Sequence, residues 1–101
     1  MFKNAYGDWC EETIIDLDNR RRLTICTMKR YSKQLVTSAM VTTSEGGFYT
    51  HAMYSDYAYT VERSQPARCT KGAVADQHAR AMSIIDAIKC WANNHYVCSV
   101  G

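Results

Sequence analysis

The feature that most limits what this chain can fold into is a change of hydrophobic period at "SQPARC", residues 64–69. Proline removes a ladder donor and restricts the residue before it, so a sheet pattern cannot run on through Pro66. Beyond it Thr70 is a natural N-cap. From Lys71 to about Asn94 the residues Val74, His78, Ala81, Ile85, Ile88 and Ala92 recur at steps of three and four, with Met82, Ile84 and Trp91 at the margins of the stripe. The spacing predicts one long helix over 71–94, about 36 Å at the standard rise per residue. Its stripe must lie on an apolar surface.

Before the switch that surface is already written. From Trp9 to about Arg63 the chain is rich in Thr, Val, Ile and Tyr and lacks a helical period, which favours strands. "WCEETIIDL" and "RRLTICTMKR" flank Asp18 and Asn19, residues that tolerate left-handed turns, so a first hairpin is expected there. "QLVTSAMVTT" and "FYTHAMYS" flank "SEGG", whose paired glycines supply the positive backbone angles of a second tight reversal. "DYAYTVER" reads either as a fifth strand after a turn at Ser55 and Asp56 or as an extension of the fourth past a bulge. The fold class expected is α+β, a four- or five-stranded antiparallel β-meander over residues 9–63 packed on one face by a long C-terminal helix. The 101 residues suffice for a single domain with one modest core.

Charge and composition exclude more than they select. The hydrophobic fraction is 47% and the charged fraction 22%, ordinary values for a globular protein, so disordered and fibrous classes drop out. A net charge of +2 is too balanced for the whole-molecule field to attract nucleic acid, so any basic surface must be local. "MFKNAYGDWCEE" has no charged segment followed by an apolar run, and no stretch is long and apolar enough to span a bilayer. A chain in the cytoplasm with no membrane contact is the expectation. Cys10, Cys26, Cys69, Cys90 and Cys98 form an odd, irregular set, which reads as reduced packing thiols rather than a disulfide framework.

The residues that carry chemistry elsewhere lack partners at useful spacing here. His78 falls on the buried stripe with Met82, not a carboxylate, four residues on, and reads as a neutral core imidazole. Cys90, His95 and Cys98 lack the C-x2-C knuckle of common zinc folds, and Cys69 beside Arg68 lacks a base close in sequence. With no phosphate loop, nucleophile elbow or H-E-x-x-H helix either, no catalytic residue, metal or cofactor is expected.

What is left is surface character. Arg20, Arg21 and Arg22 stand at the first hairpin, while Lys29, Arg30 and Lys33 surround Tyr31 at the next connection. In a meander these connections lie at opposite ends of the second strand, about 25 Å apart at the rise of a strand, so they would not form one patch. Tyr49, Tyr54, Tyr57 and Tyr59 crowd the later strands, and alternation keeps them from all entering one core. Exposed Tyr and Arg dominate protein interfaces. Arg20, Arg21, Arg22, Lys29, Arg30, Tyr31, Lys33, Tyr49, Tyr57 and Tyr59 are therefore the expected partner-binding residues, and a Tyr-rich edge would equally serve a homodimer.

The segment "GGFYTHAMYSDYAYTVERSQPARCTKGAVADQHARAMSIIDAI", residues 46–88, resembles in size and order the sheet-then-helix ending of small bacteriophage and prophage accessory proteins, including some anti-CRISPR proteins. The resemblance implies a non-enzymatic inhibitor that blocks a host protein or ribonucleoprotein complex sterically inside a bacterial host cell. "CTKGAVADQHARAM" is also similar to the end of a double-stranded-RNA-binding domain, where lysines at a helix start grip phosphates. That likeness implies a nucleic-acid-binding module, although only Lys71 stands at this helix start and no first helix precedes the strands.

Overall fold

The computed structural model describes residues 1–17, 21–30, 33–45, 48–50 and 58–100, with side chains for 1–17, 21–30, 33–42 and 60–94. Its strands are β1 Phe2–Lys3, β2 Trp9–Asp16, β3 Arg21–Lys29, β4 Leu35–Glu45, β5 Phe48–Thr50 and β6 Ala58–Ser64, followed by the helices α1 Lys71–Met82 and α2 Ile85–Val100. All strand pairs are antiparallel. The sheet runs β1-β2-β3-β4, and β5 and β6 then share the far edge of β4, so six strands occupy five positions.

The two hairpins form where turn chemistry places them. Leu17 donates its backbone N–H to Arg21 O across the first, at 2.8 Å, and β4 pairs with β5 up to Glu45↔Phe48 across the glycine pair. The choice over "DYAYTVER" falls to continuation: Thr50 pairs with Thr43 and Ala58 with Met40, so β6 resumes the line of β5 along β4. Residues 51–57, with the expected turn at Ser55 and Asp56, lie outside the described residues. A register shift opposite Thr37 and Ser38, which pair with Glu62 and Thr60, leaves Val61 as a bulge in β6. The bulge lets Glu62 and Ser64 face the helices while Val61 also packs against the core.

The single long helix is corrected to two, of 12 and 16 residues. Thr70 caps α1 as its sequence suggests, accepting the Ala73 N–H on its hydroxyl at 3.2 Å. The break comes at Ser83 and Ile84. Ser83 Oγ donates back to Arg80 O at 2.5 Å, and Ile84 N–H bonds to Ala81 O, one residue short of the α-helical partner. A serine competing for the carbonyl of the turn below, followed by two β-branched isoleucines, tightens and ends the helix there. The apolar stripe survives: Val74, His78, Ala81, Ile88 and Ala92 are buried on both sides of the break. Ile84 is the exception at 49% exposed.

Both helices cover one face of the sheet. Leu23 and Ile25 of β3 and Ala39 and Val41 of β4 meet Ala81, Ile88 and Ala92, with Ile15, Val61, Met82, Ile85 and Trp91 around them. Burying each large aliphatic side chain contributes roughly 1.5–3 kcal/mol.

Arg21 breaks the expectation attached to its arginine run. It shares the inward parity of Leu23 and Ile25, is 3% exposed, and sends Nη1 to Ala92 O at 3.4 Å and Nη2 to Asn93 Oδ1 at 3.3 Å. It fastens the sheet to α2 and so is not free to bind a partner. Arg22, of opposite parity, pairs through Nε with the exposed Asp16 carboxylate at 2.8 Å. Arg21→Ala is expected to lower the unfolding free energy by about 2–4 kcal/mol, because it strips a buried charge-assisted clamp. Arg22→Ala removes an exposed ion pair and is expected to cost less than about 1 kcal/mol. Urea denaturation of both variants checks the contrast, and equal losses would contradict the clamp.

Candidate functional site

Two groups of polar side chains stand out, one inside the protein and one at its surface. The inner group begins at His78, held at 5% exposure beneath α1. Its Nε2 lies 2.8 Å from Thr13 Oγ1 on β2, and its Nδ1 lies 2.9 Å from Thr27 Oγ1 on β3. Thr27 Oγ1 is in turn 2.6 Å from Thr37 Oγ1 on β4, its register partner. Gln77, the neighbour of His78, continues the chain: Nε2 donates to Thr37 Oγ1 at 3.1 Å and to Leu35 O at 3.0 Å, while its Oε1 accepts from the Ser64 hydroxyl of β6.

One donor direction satisfies the whole seam. Gln77 donates to Thr37, Thr37 to Thr27, Thr27 to His78 Nδ1, and His78 Nε2–H to Thr13. The ring is then neutral, with its proton on Nε2. Burial pushes the His78 pKa below its ordinary value, only partly offset by the nearby Glu11 carboxylate. A protonated ring would donate from both nitrogens, turning the Thr27 hydroxyl toward Thr37 and leaving the Thr37 hydroxyl, which already accepts from Gln77, without its acceptor. His78 is thus a core histidine, as its place on the stripe implies, with a hydroxyl on each side.

Two of the four described thiols are packing groups, whereas Cys69 is half-buried and Cys90 is exposed, so Cys90 departs from the expected packing role. Cys10 is buried and its pKa raised by desolvation, and Cys26 is pushed up to about 11 by burial and the neighbouring Glu12. Among the described residues no His, Cys, Asp or Glu cluster could hold a metal ion, and the side chains of His95 and Cys98 lie outside them.

The surface group lies at the end of the sheet where β2 and β4 begin and β3 and β6 finish. There the β1–β2 loop and the β3–β4 turn enclose a cleft of about 620 Å³. Asn4, Tyr6 and Asp8 line one wall, and Met28, Lys29, Arg30 and Lys33 line the other. The loop is built by its own hydrogen bonds. Asn4 Oδ1 accepts the N–H groups of Tyr6 and Asp8, both at 3.0 Å, and Asn4 and Asp8 pair through their backbones at 2.9 Å. Gly7 takes a φ of +82°, a conformation that favours glycine. Tyr6 is carried out to 88% exposure.

The opposite turn closes through Arg30 N–H to Gln34 O and Lys33 N–H to Arg30 O, both at 2.9 Å. It holds Lys33 at φ 61°, in the left-handed region that a lysine rarely occupies. Lys29 Nζ reaches Asp8 Oδ1 at 3.7 Å and ties the two walls together. On the helix-bearing side of the same end, Lys3 and Lys71 lie over the Trp9 ring at 4.9 and 5.0 Å from its centroid. Lys3, Lys29, Arg30, Lys33 and Lys71 around this end outnumber the carboxylates of Asp8, Glu11 and Glu12, and Glu11 is already paired with the N-terminal ammonium at 3.1 Å, so the arrangement attracts anions.

The two basic connections named from sequence thus part company. Lys29, Arg30 and Lys33 meet in one cleft, while Arg21 is buried and Arg22 faces Asp16 at the far end. Arg20, Tyr31 and Tyr57 lie outside the described residues, and Tyr49 and Tyr59 are described as strand backbone only. Sequence reasoning missed Lys3, Asn4, Tyr6, Asp8 and Trp9, and named Lys71 only as a lysine at the helix start. The signal available was Asn4 and Gly7, turn residues between "FK" and "WC". Comparison with known proteins finds no matching family model, curated protein or solved structure.

His78 makes acid stability a direct readout of the seam. Its folded pKa is depressed, so the unfolded chain takes up the proton first. Its contribution is fully present above the unfolded value of about 6.5 and is lost as pH falls through the lower folded value. Urea midpoints of the wild type should decline between about pH 7 and 5, above the range in which carboxylates titrate. His78→Leu should be less stable at pH 7 by about 1–3 kcal/mol, with Thr13 and Thr27 left without a ring partner, and should decline less over that interval. Parallel declines in the two proteins would contradict the assignment.

Proposed function

We propose that this protein is a non-enzymatic binding protein that engages the phosphate backbone of a nucleic acid through the basic end of its sheet. The observation that carries the reading is the meeting of Lys29, Arg30 and Lys33 in one cleft, with Lys3 and Lys71 around Trp9 behind it. Phosphates repeat along a strand, and each cation that meets one releases a condensed counterion. The non-enzymatic part is supported by how three of the reactive side chains are spent. His78 uses both ring nitrogens on threonine hydroxyls, and the thiols of Cys10 and Cys26 are held protonated.

A second reading keeps the steric inhibitor of a host-defence ribonucleoprotein, the role implied by a likeness to anti-CRISPR proteins. It is favoured by the reverse face of the sheet. There the parity opposite to the helix-covered residues brings out Ile14, 50% exposed, and the partly exposed Cys26, Met28 and Met40. The two readings separate by salt dependence. An apolar face gives a binding constant nearly indifferent to salt, and a phosphate site does not.

Binding of a labelled oligonucleotide over a salt series tests the first reading. If Lys29, Arg30 and Lys33 each meet one phosphate, log K against log salt should fall with a slope of about −2 on a single strand and about −2.7 on a duplex. Lys29→Ala should make the slope shallower by about 0.7–0.9, and Arg22→Ala should leave it unchanged. Lys33→Gly is the sharper variant, because glycine accepts the left-handed turn that lysine holds at a cost. It should bind more weakly while melting no lower than the wild type. Absence of binding at about 50 mM salt would reject the phosphate reading.

A further inference from the structure

We infer that the nucleic acid this end accepts is single-stranded, with the Tyr6 ring as the stacking platform for one unpaired base. The inference rests on the phosphate reading above and goes beyond it by naming the strand state and the residue that selects it.

Tyr6 is 88% exposed, yet the loop beneath it is fixed. Asn4 closes it on three sides, through its side-chain oxygen to Tyr6 and Asp8 and through its backbone to Asp8 and Gly7. A large aromatic held in water on an ordered turn is a preorganised contact, since its carrier loses little freedom on binding. Tyr6 lines the same cleft as Lys29, Arg30 and Lys33. Phosphate-binding cations beside an exposed π-face are the two parts of a site that tracks a single strand. The cleft volume of about 620 Å³ falls within the roughly 300–1,000 Å³ of pockets that hold small ligands, which suits a nucleotide unit.

A duplex fits this end poorly. Its bases are stacked inside, out of reach of a tyrosine on a turn, and its binders spread phosphate contacts over more than one groove. The arginines that would extend the contact along the sheet are spent, Arg21 in the core and Arg22 on Asp16. The Lys29–Asp8 pair fits the same picture. At 3.7 Å it is a long ion pair in which a phosphate can replace the carboxylate without breaking a tight bond.

The test is fluorescence anisotropy of the full chain at about 50 mM salt with three labelled probes: an oligouridine of about twelve nucleotides, an abasic strand of equal length and charge, and a duplex of that length. The oligouridine should bind best. Tyr6→Ala, which removes an exposed ring and should leave the circular dichroism spectrum unchanged, should weaken oligouridine binding about fivefold to a hundredfold and bring it down to the abasic level. It should not alter the salt slope. Tyr6→Trp should restore the difference between the two strands. If oligouridine and abasic strand bind alike and Tyr6→Ala binds as the wild type does, while Lys29→Ala weakens both, the Tyr6 inference is overturned and the phosphate reading stands. A duplex bound more tightly than the single strand overturns it equally. If no probe binds, the phosphate reading has failed and the inference falls with it.

Discussion

The rest of the structure depends on a buried polar seam rather than on the apolar core beside it. Thr13, Thr27, Thr37 and Ser64 come from four strands, and His78 and Gln77 on α1 join them into one hydrogen-bonded chain. An apolar stripe packs in many registers at similar energy, because hydrophobic burial has no direction. A buried hydroxyl or imidazole left without a partner costs about 1–3 kcal/mol, so sliding α1 by one turn would orphan several groups at once. The seam therefore fixes where the helix lies on the sheet. Lys71, one turn ahead of Val74, is delivered over Trp9 as a consequence.

The opposite end of the sheet is held by a different device with the same logic. Arg21 has the inward parity of Leu23, Ile25 and Thr27, so the row along β3 is apolar in the middle and polar at both ends. At one end the polar group is a hydroxyl under α1, and at the other a guanidinium under α2. Each helix has its own polar tie to the sheet. This explains why the break at Ser83 and Ile84 is tolerated: two helices, each fixed independently, need no continuous axis between them. Arg80, on the last turn of α1, adds an outer tie to Glu62 at 2.6 Å, and that guanidinium holds the Glu62 carboxyl below its ordinary pKa.

Much of this was legible in the sequence, and the illegible parts share a cause. Period and turn chemistry gave the antiparallel run β2-β3-β4-β5, both hairpins, the Thr70 cap and the buried stripe, but left the place of β6 open. The break between the helices was hidden because Ala81, Ile85 and Ile88 keep the helical spacing across it. β1 is two residues long, too short for alternation to register. Gln77, fully buried, was passed over as polar, although it stands three residues from Val74 and four from Ala81 on the buried side. Charge places Arg21 at the surface, whereas its parity with Leu23 and Ile25 puts it inside. Periodicity places a residue on a face, but only the neighbours on that face decide whether a polar side chain there is satisfied.

The same limit explains how the candidate site was half found. A cluster of cations in sequence says nothing about which of them the fold will consume, and the two clusters here look alike until parity and partners are known. In "NRRRL" Arg21 goes to α2 and Arg22 to Asp16. "MKRYSK" sits where the chain reverses beyond the helices, and among the described residues Asp8 is the carboxylate that answers it, at 3.7 Å. Lys3 and Lys71 are partly spent as well, since each lies over Trp9. A cation on a ring face keeps its charge and much of its hydration, however, so those two lysines can stiffen the end of the sheet and still add to its field. Of the two basic runs, then, folding spends Arg21 and Arg22 and leaves Lys29, Arg30 and Lys33 at the cleft.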